Sequence, residues 1–411
     1  MSSGISIYPG LDNSVEENLQ LINLAHKHGI TRIFTSFHIP ETDKTRFHQE
    51  AFTILKAGSA LGMDIISDIS PATMEVLGIE KTDTKAFKKL GISTLRLDYG
   101  FSAEEIAQLS RNSHGLKIQL NASSIKRELL ESLAKAGACF GTIDALHNFY
   151  PRENTGLSKQ FFLKKNMLLM EFGISISAFI PSMKRPRSPV KAGVPTLEEH
   201  RGCSLDYAAR ELSAMGCSVF IGDSLPSEDE LANVAQCQPG HTLLKAEIIT
   251  REPALLKLLE NNSFTARPDE ARDVIRAQET RGLMKGISIA SENTVSRPRG
   301  AITIDNESYH RYQGELQILK KPLPPDRRVN VIALLDNMEQ RLIEYILPET
   351  KFSILKKIKI RGDHRRPLQK NKDTGRPPSR PTAGMDKKRA KHTLRSQISM
   401  VTQEGLEPPT L

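Results

Sequence analysis

Along residues 4–223, short β-rich runs alternate with stretches that carry helical periodicity. The runs are GISIYP (4–9), RIFTSF (32–37), DIISDI (64–69), STLRLDY (93–99), LKIQLNAS (116–123), CFGTID (139–144), ISISAFIP (174–181) and CSVFIGD (217–223). The intervening stretches carry start and stop signals. In SVEENLQLINLAHKHG, Ser14 is followed three residues later by Glu17, the spacing of a capping box. Leu21, Leu24 and Ala25 recur at helical spacing, and Gly29 supplies the C-terminal stop. TDKTRFHQEAFTILKAGSALG ends at Gly62 in the same way, and SIKRELLESLAKAG and LDYAARELSAMG repeat the scheme.

Eight such strand–helix units in about 235 residues match the size and order of a (β/α)8 TIM barrel. A doubly wound open sheet is the competing α/β arrangement. It usually has fewer strands and a glycine-rich first turn, and YPGLDNS is not GxGxxG. The barrel is therefore expected over residues 1–237. The pattern then changes. TLLKAEIIT, GISIA, GAITID, GELQIL and RVNVIALL read as strands without regular long helices between them, and EARDVIRAQETRG reads as a helix or a connecting loop. A smaller, mostly-β domain is expected over 238–356, ending near RLIEYILPETKFSILK.

Composition narrows the class. Hydrophobic residues are 38% and charged residues 26%, as in a soluble protein with a sizeable core. No window approaches a run of about 18 apolar residues, so no membrane span is expected. MSSGISIYPG has neither a basic n-region nor a long apolar h-region, and a cytoplasmic location is expected. Cys139, Cys203, Cys217 and Cys237 show no CxxC spacing, which fits reduced thiols rather than a disulfide framework or zinc site. There is no HExxH, no Walker A pattern and no HxH on the first strand, so no metal or cofactor is expected.

The net charge of +9 suggests nucleic acid until its distribution is considered. Residues 356–411 hold 15 Lys or Arg and 5 Asp or Glu, whereas the rest of the chain holds 42 basic and 43 acidic residues. The basic character belongs to the tail, and the body has no excess with which to attract phosphate backbones. Residues 357–411, rich in Lys, Arg and Pro, are expected to be a disordered basic tail.

Barrel enzymes carry their chemistry at the C-terminal ends of the strands. Here those ends are polar: Tyr8 after the first strand, Thr35 and Ser36 on the second, Asp68 on the third and Arg96 with Asp98 on the fourth. Asn121 and Ser123 end the fifth. His147, Asn148 and Tyr150 follow the sixth, in the loop HNFYPRENTGLS. The seventh leads through Ser182 to TLEEHR, with Glu198, Glu199, His200 and Arg201, and the eighth ends in Asp223. Arg96 and Asp98, two apart on one strand, share a face, and the lumen suits them better than the helix layer. They could serve a site or form a structural ion pair. Glu198 and Glu199 could equally be dipole partners in a first helical turn, and Asp223 an N-cap. His147 taken alone reads as a hydrogen-bonded structural histidine.

GISIYP, RIFTS, RLDYGF, LNAS, HNFYP followed by TGL, AFIPS, TLEEHR and RGAITIDNESYHRYQGELQI, in this order over residues 4–356, resemble the bacterial 6-phospho-N-acetylmuramidase family, long described as uncharacterised or as "outer surface protein". The resemblance implies a TIM barrel followed by a cyclophilin-like β domain. It implies a cytoplasmic glycosidase of peptidoglycan recycling in the cell wall. Its substrate would be the disaccharide of N-acetylmuramic acid 6-phosphate, an amino sugar phosphate, and N-acetylglucosamine.

Glycoside hydrolysis needs two carboxylates about 5–5.5 Å apart for retention or about 6.5–9.5 Å for inversion. Asp68, Asp98, Glu198, Glu199 and Asp223 form the available pool, and barrel position favours Asp98 and Glu198 as the catalytic pair. A phosphate and a lactyl carboxylate need cations and amide donors. Arg96, Arg152 and Arg201 qualify, with Arg297 and Arg299 from SRPRG in the second domain, near Tyr309 and Tyr312. Two other readings stay open: a lyase or isomerase acting on a sugar phosphate, and a non-enzymatic surface or nucleic-acid-binding protein using the tail.

Overall fold

The computed structural model describes residues 3–36, 44–69, 79–80, 83–97 and 100–357. Within them, eight parallel strands close into a barrel in chain order. They are β1 (Gly4–Ile7), β2 (Arg32–Ser36), β3 (Asp64–Ile69), β4 (Thr94–Leu97), β5 (Lys117–Asn121), β6 (Ile143–Leu146), β7 (Ser175–Ile180) and β8 (Ser218–Ile221). β8 returns to β1 through Gly4↔Phe220 and Ile5↔Ile221. The capping box at Ser14 and Glu17 starts helix α1 (Val15–Lys27), and the same device recurs at Ser102 with Glu105 and at Ser227 with Glu230.

One strand differs from the sequence expectation. CFGTID does not form the sixth strand as a whole: Phe140–Thr142 is a 3-10 turn, and β6 begins at Ile143. The Cys139 amide donates to the Ser110 hydroxyl, and the Thr142 hydroxyl donates to the Ser110 carbonyl. These bonds hold the segment to the C-terminal end of the helix Ala103–Ser110, which precedes β5. β6 ends at Leu146, so His147 follows the strand directly.

Alternate side chains point into the barrel and fill it in layers. At the N-terminal floor, Arg32 ion-pairs with Asp64 at 3.1 Å and Asp144 at 2.7 Å. Above it lie Tyr8, Phe34, Ile66, Leu146, Phe179 and Phe220, packed as one buried cluster. Phe220 lies against Gly4, where an added Cβ would stand 2.1 Å from the ring, so only glycine fits. The opposite faces of the strands (Ile5, Ile33, Ile65, Leu95 and Ile118) pack with helix residues such as Ile22, Phe87, Leu130 and Leu212 into the main core.

The second domain is a seven-stranded sheet of order β10-β15-β9-β14-β12-β13-β11. Its strands are β9 (His241–Ile248), β10 (Ser263–Thr265), β11 (Val274–Arg276), β12 (Ala301–Asp305), β13 (Leu316–Leu319), β14 (Val329–Leu335) and β15 (Lys351–Lys356). EARDVIRAQETRG holds strand β11, paired to β13, before a short helix at Thr280–Leu283. GISIA is not a strand. Ile289 is buried there, but its amide donates to the Gln313 side chain rather than to a ladder. The domain has its own core, built on residues such as Leu258, Phe264, Ile302, Ile318 and Phe352.

Barrel and sheet meet along helix Leu205–Ala214. Arg210 on that helix donates twice to Glu339, at 2.7 and 2.6 Å, and once to the Leu243 carbonyl. Beside it, Glu211 takes hydrogen bonds from His200, Lys159 and Tyr345. Burial works against the Glu211 charge, but the bonds from His200 and Lys159 hold its carboxyl down to about 2. His200 is thus occupied at the domain junction. The tail expected over 357–411 falls, beyond residue 357, outside the described residues.

Candidate active site

The C-terminal mouth of the barrel lies above the aromatic layer. The register aligns Asp68 with Arg96 on adjacent strands. Arg96 is buried and donates to Asp68 Oδ1 at 2.7 Å and to Asn148 Oδ1. Its guanidinium lies 6.0 Å from the Phe34 ring centroid, so it faces the lumen as the strand alternation predicts. Asp98 lies outside the described residues.

Asn148 is held in place by a buried chain. His147 is fully buried and lies between Asn166 Oδ1, at 2.9 Å from Nε2, and the Ser123 hydroxyl, at 3.1 Å from Nδ1. The Asn166 amide nitrogen donates to Cys217 Sγ, which leaves its oxygen as acceptor. Nε2 therefore carries the proton, Nδ1 accepts from Ser123, and Ser123 Oγ accepts from the Asn148 amide. Burial pushes the imidazole down to about 4. His147 is a neutral link that positions Asn148 and hence Arg96.

Glu198 opens a 3-10 turn, Glu198–Gly202. It accepts from the Asn154 amide at 2.9 Å, the Gly156 amide at 2.7 Å, and Arg201 at 2.7 and 2.9 Å. Arg201 also donates to the carbonyls of Tyr150, Arg152, Ala192 and Gly193. The pair thereby staples the loop after β6 to the loop after β7. Gly156 is required by this closeness, since a Cβ there would stand 2.6 Å from Glu198 Oε2. Hydrogen bonds from Arg201, aided by the two amides, hold the Glu198 carboxyl down to about 2. A folded-state pKa below the unfolded value of about 4.3 adds stability above that pH, which is lost as pH falls towards the folded value. The melting-temperature gap between the parent and Glu198→Gln should therefore be widest above about pH 4.5 and shrink on acidification. A gap that does not change with pH would contradict the staple.

Asp223, fully buried at the end of β8, accepts from the amides of Ser182 (2.8 Å), Arg187 (2.7 Å) and Val194 (3.3 Å). Burial pushes its carboxyl upward against those three donors. It is a loop anchor and does not cap a helix. Tyr8 donates its hydroxyl to the Gly222 carbonyl at 2.6 Å, and burial pushes the phenol above its ordinary range. Asn121 accepts from the Ser123 amide in a tight turn. The Tyr150 amide donates to the Pro195 carbonyl. Glu199 is 57% exposed and lies 3.7 Å from Lys159, beside the Glu211 network.

Arg297 donates to the Pro324 carbonyl, and Arg299 to Glu344 and the Gln340 carbonyl, all within the β domain. Tyr309 and Tyr312 pack edge to face, under Arg328 and under Arg281 and Arg311 respectively. The hydrogen bonds and ring contacts of these four residues are thus with partners in the β domain. Three mouth residues escape the sequence reading. Phe149 packs edge-on against Tyr8, Phe34 and Phe179, Asn166 anchors His147 from a helix, and Arg187 lies over Tyr8 and Phe149. For Arg187 the available signal was its place in the long loop after the seventh strand.

These features define a (β/α)8-barrel protein with an arginine-bearing, aromatic-floored mouth and an attached β domain. The chain belongs to the 6-phospho-N-acetylmuramidase family: the N-terminal family model matches residues 3–236 and the C-terminal one residues 243–355. It is accordingly a glycosidase. Among solved structures, it is similar to an uncharacterised B. cereus protein, with 29% identity and a TM-score of 0.71 over 86% of this chain and 99% of that one. It is also similar to a conserved Enterococcus faecalis protein of unknown function, with 33% identity and a TM-score of 0.59 over 87% of this chain and 96% of that one. No curated protein matches the chain. Among the described residues, no helix is long and apolar enough to cross a membrane.

Proposed function

We propose that the protein hydrolyses the glycosidic bond between N-acetylmuramic acid 6-phosphate and N-acetylglucosamine, in the cytoplasm, as a step of peptidoglycan recycling. The observation that carries this reading is the Asp68–Arg96–Asn148 constellation at the mouth, with Arg96 two residues before Asp98 in the chain. The aromatic floor beneath it suits a sugar ring, and the buried arginines suit its anionic substituents.

The carboxylate pool narrows on geometry. Glu198 already accepts four hydrogen bonds, Asp223 accepts three amides, and Glu199 sits beside the domain junction. The working pair of this reading is Asp68 with Asp98, the latter on its place two residues after Arg96 in the chain. One donates a proton to the departing N-acetylglucosamine oxygen, and the other attacks the anomeric carbon or activates a water. Glu198 and Arg201 hold the substrate loop.

The test is incubation of the protein with the phosphorylated disaccharide in heavy-oxygen water, with products identified by mass spectrometry. Equimolar N-acetylmuramic acid 6-phosphate and N-acetylglucosamine are expected, with one heavy oxygen incorporated. Products lacking the elements of water would establish a lyase instead. An intact disaccharide, alongside turnover of another phospho-glycoside, would refute the substrate.

A further inference from the structure

We infer that Arg187 is the receptor for an oxyanion of the substrate, a role that rests on the glycosidase reading above. Arg187 lies in the loop after β7 and is 6% exposed. Its guanidinium carbon stands 4.8 Å from the Tyr8 ring centroid and 5.3 Å from that of Phe149. Both rings belong to the aromatic floor of the mouth. Nε is buried without a partner, and among the described residues no carboxylate, carbonyl or hydroxyl accepts a hydrogen bond from this guanidinium. The rings attract a cation but offer no acceptor in the guanidinium plane. A buried charge left this way is costly unless a partner arrives.

The surroundings make the arginine a preset receptor. Its own amide is tied to Asp223 Oδ1, and the same carboxylate ties Ser182 and Val194 on either side of it along the loop. The loop is thus fastened to the end of β8, and the side chain is laid over the floor before any ligand binds. Arg96 differs, because Asp68 already neutralises it. Asp223 is the carboxylate whose charge Arg187 feels, but it spends its oxygens on backbone amides and takes no hydrogen bond from the guanidinium, whose planar fork therefore suits bidentate capture of a phosphomonoester or a carboxylate. The proposed substrate carries one of each.

Two monosaccharide probes separate them: N-acetylglucosamine 6-phosphate, with the phosphate alone, and N-acetylmuramic acid, with the carboxylate alone. Calorimetric titration of the full chain should show the parent binding at least one of them. Arg187→Met should weaken one probe by about 10- to 100-fold and spare the other, the scale of a lost charge-assisted pair. Arg187→Lys, which keeps the charge over the rings but loses the fork, should fall in between, and it serves if the Met variant does not fold. The affected probe names the anion. Parent-like binding by the variants, equal weakening of both probes, or a parent that binds neither would each overturn the assignment. A parent that binds a probe yet leaves the disaccharide intact refutes the glycosidase reading instead.

Discussion

Asp68→Asn should lower kcat for the phosphorylated disaccharide by about a thousandfold, and Asp98→Asn should be as severe, in line with the loss of an acid, base or nucleophile. Asp68 lies one residue before the end of β3, faces Arg96 at 2.7 Å, and keeps its side chain 14% exposed at the mouth. Asn preserves its shape and its acceptor oxygen for Arg96 while removing the charge, so the melting temperature should stay within a few degrees. Glu198→Gln is the comparison. Its carboxylate is engaged by Arg201 and two amides, so the change should act on loop order, raising KM more than it lowers kcat. Steady-state kinetics of the three variants decides the matter. A thousandfold loss in Glu198→Gln, with Asp68→Asn near parental, would restore the pair Asp98 and Glu198.

The largest stability effect is expected at the domain junction. Glu339→Ala should cost about 3 kcal/mol, because it removes the bidentate partner of the buried Arg210 guanidinium and leaves it only Asp206, at 3.0 Å, as a carboxylate partner. Glu339 is 6% exposed and Arg210 is 3% exposed, so water cannot substitute freely. Lys245 would also lose the acceptor of its amide. Removing both charges as Arg210→Met with Glu339→Leu should recover most of the loss, since an apolar pair of similar volume carries no desolvation penalty. Urea unfolding of the single and double variants measures this. A single variant within about 1 kcal/mol of the parent would mean that the pair contributes no more than a surface ion pair.

The barrel was legible in the chain because it is written in local terms. Ser14 with Glu17 caps a helix wherever the helix lies, and β-rich runs alternating with helical stretches point to a repeated strand–helix unit. Strand alternation likewise puts Arg96 in the lumen, where its guanidinium lies over Phe34. The β domain was less legible. Its strands β10 and β11 are three residues long, too short to show a period, and Ile289 in GISIA is buried without joining a ladder.

The partners and burial of individual polar residues were decided by tertiary structure. Glu198 sits where a barrel acid belongs by strand count, yet Asn154, Gly156 and Arg201 saturate it across a gap of more than forty residues to the first two. His147 reads in sequence as a hydrogen-bonded structural histidine, but only the fold names its partners, Ser123 and Asn166, and buries it between them as a neutral spacer. Arg187 reads as one more loop cation in KRPRSP, and only the packing of Tyr8 and Phe149 beneath it reveals a buried guanidinium whose Nε has no hydrogen-bond acceptor. Periodicity and caps depend on residues a few positions apart, so the chain specifies them directly. Burial and hydrogen-bond partnership depend on which distant loops meet, and in this protein they meet at the mouth of the barrel.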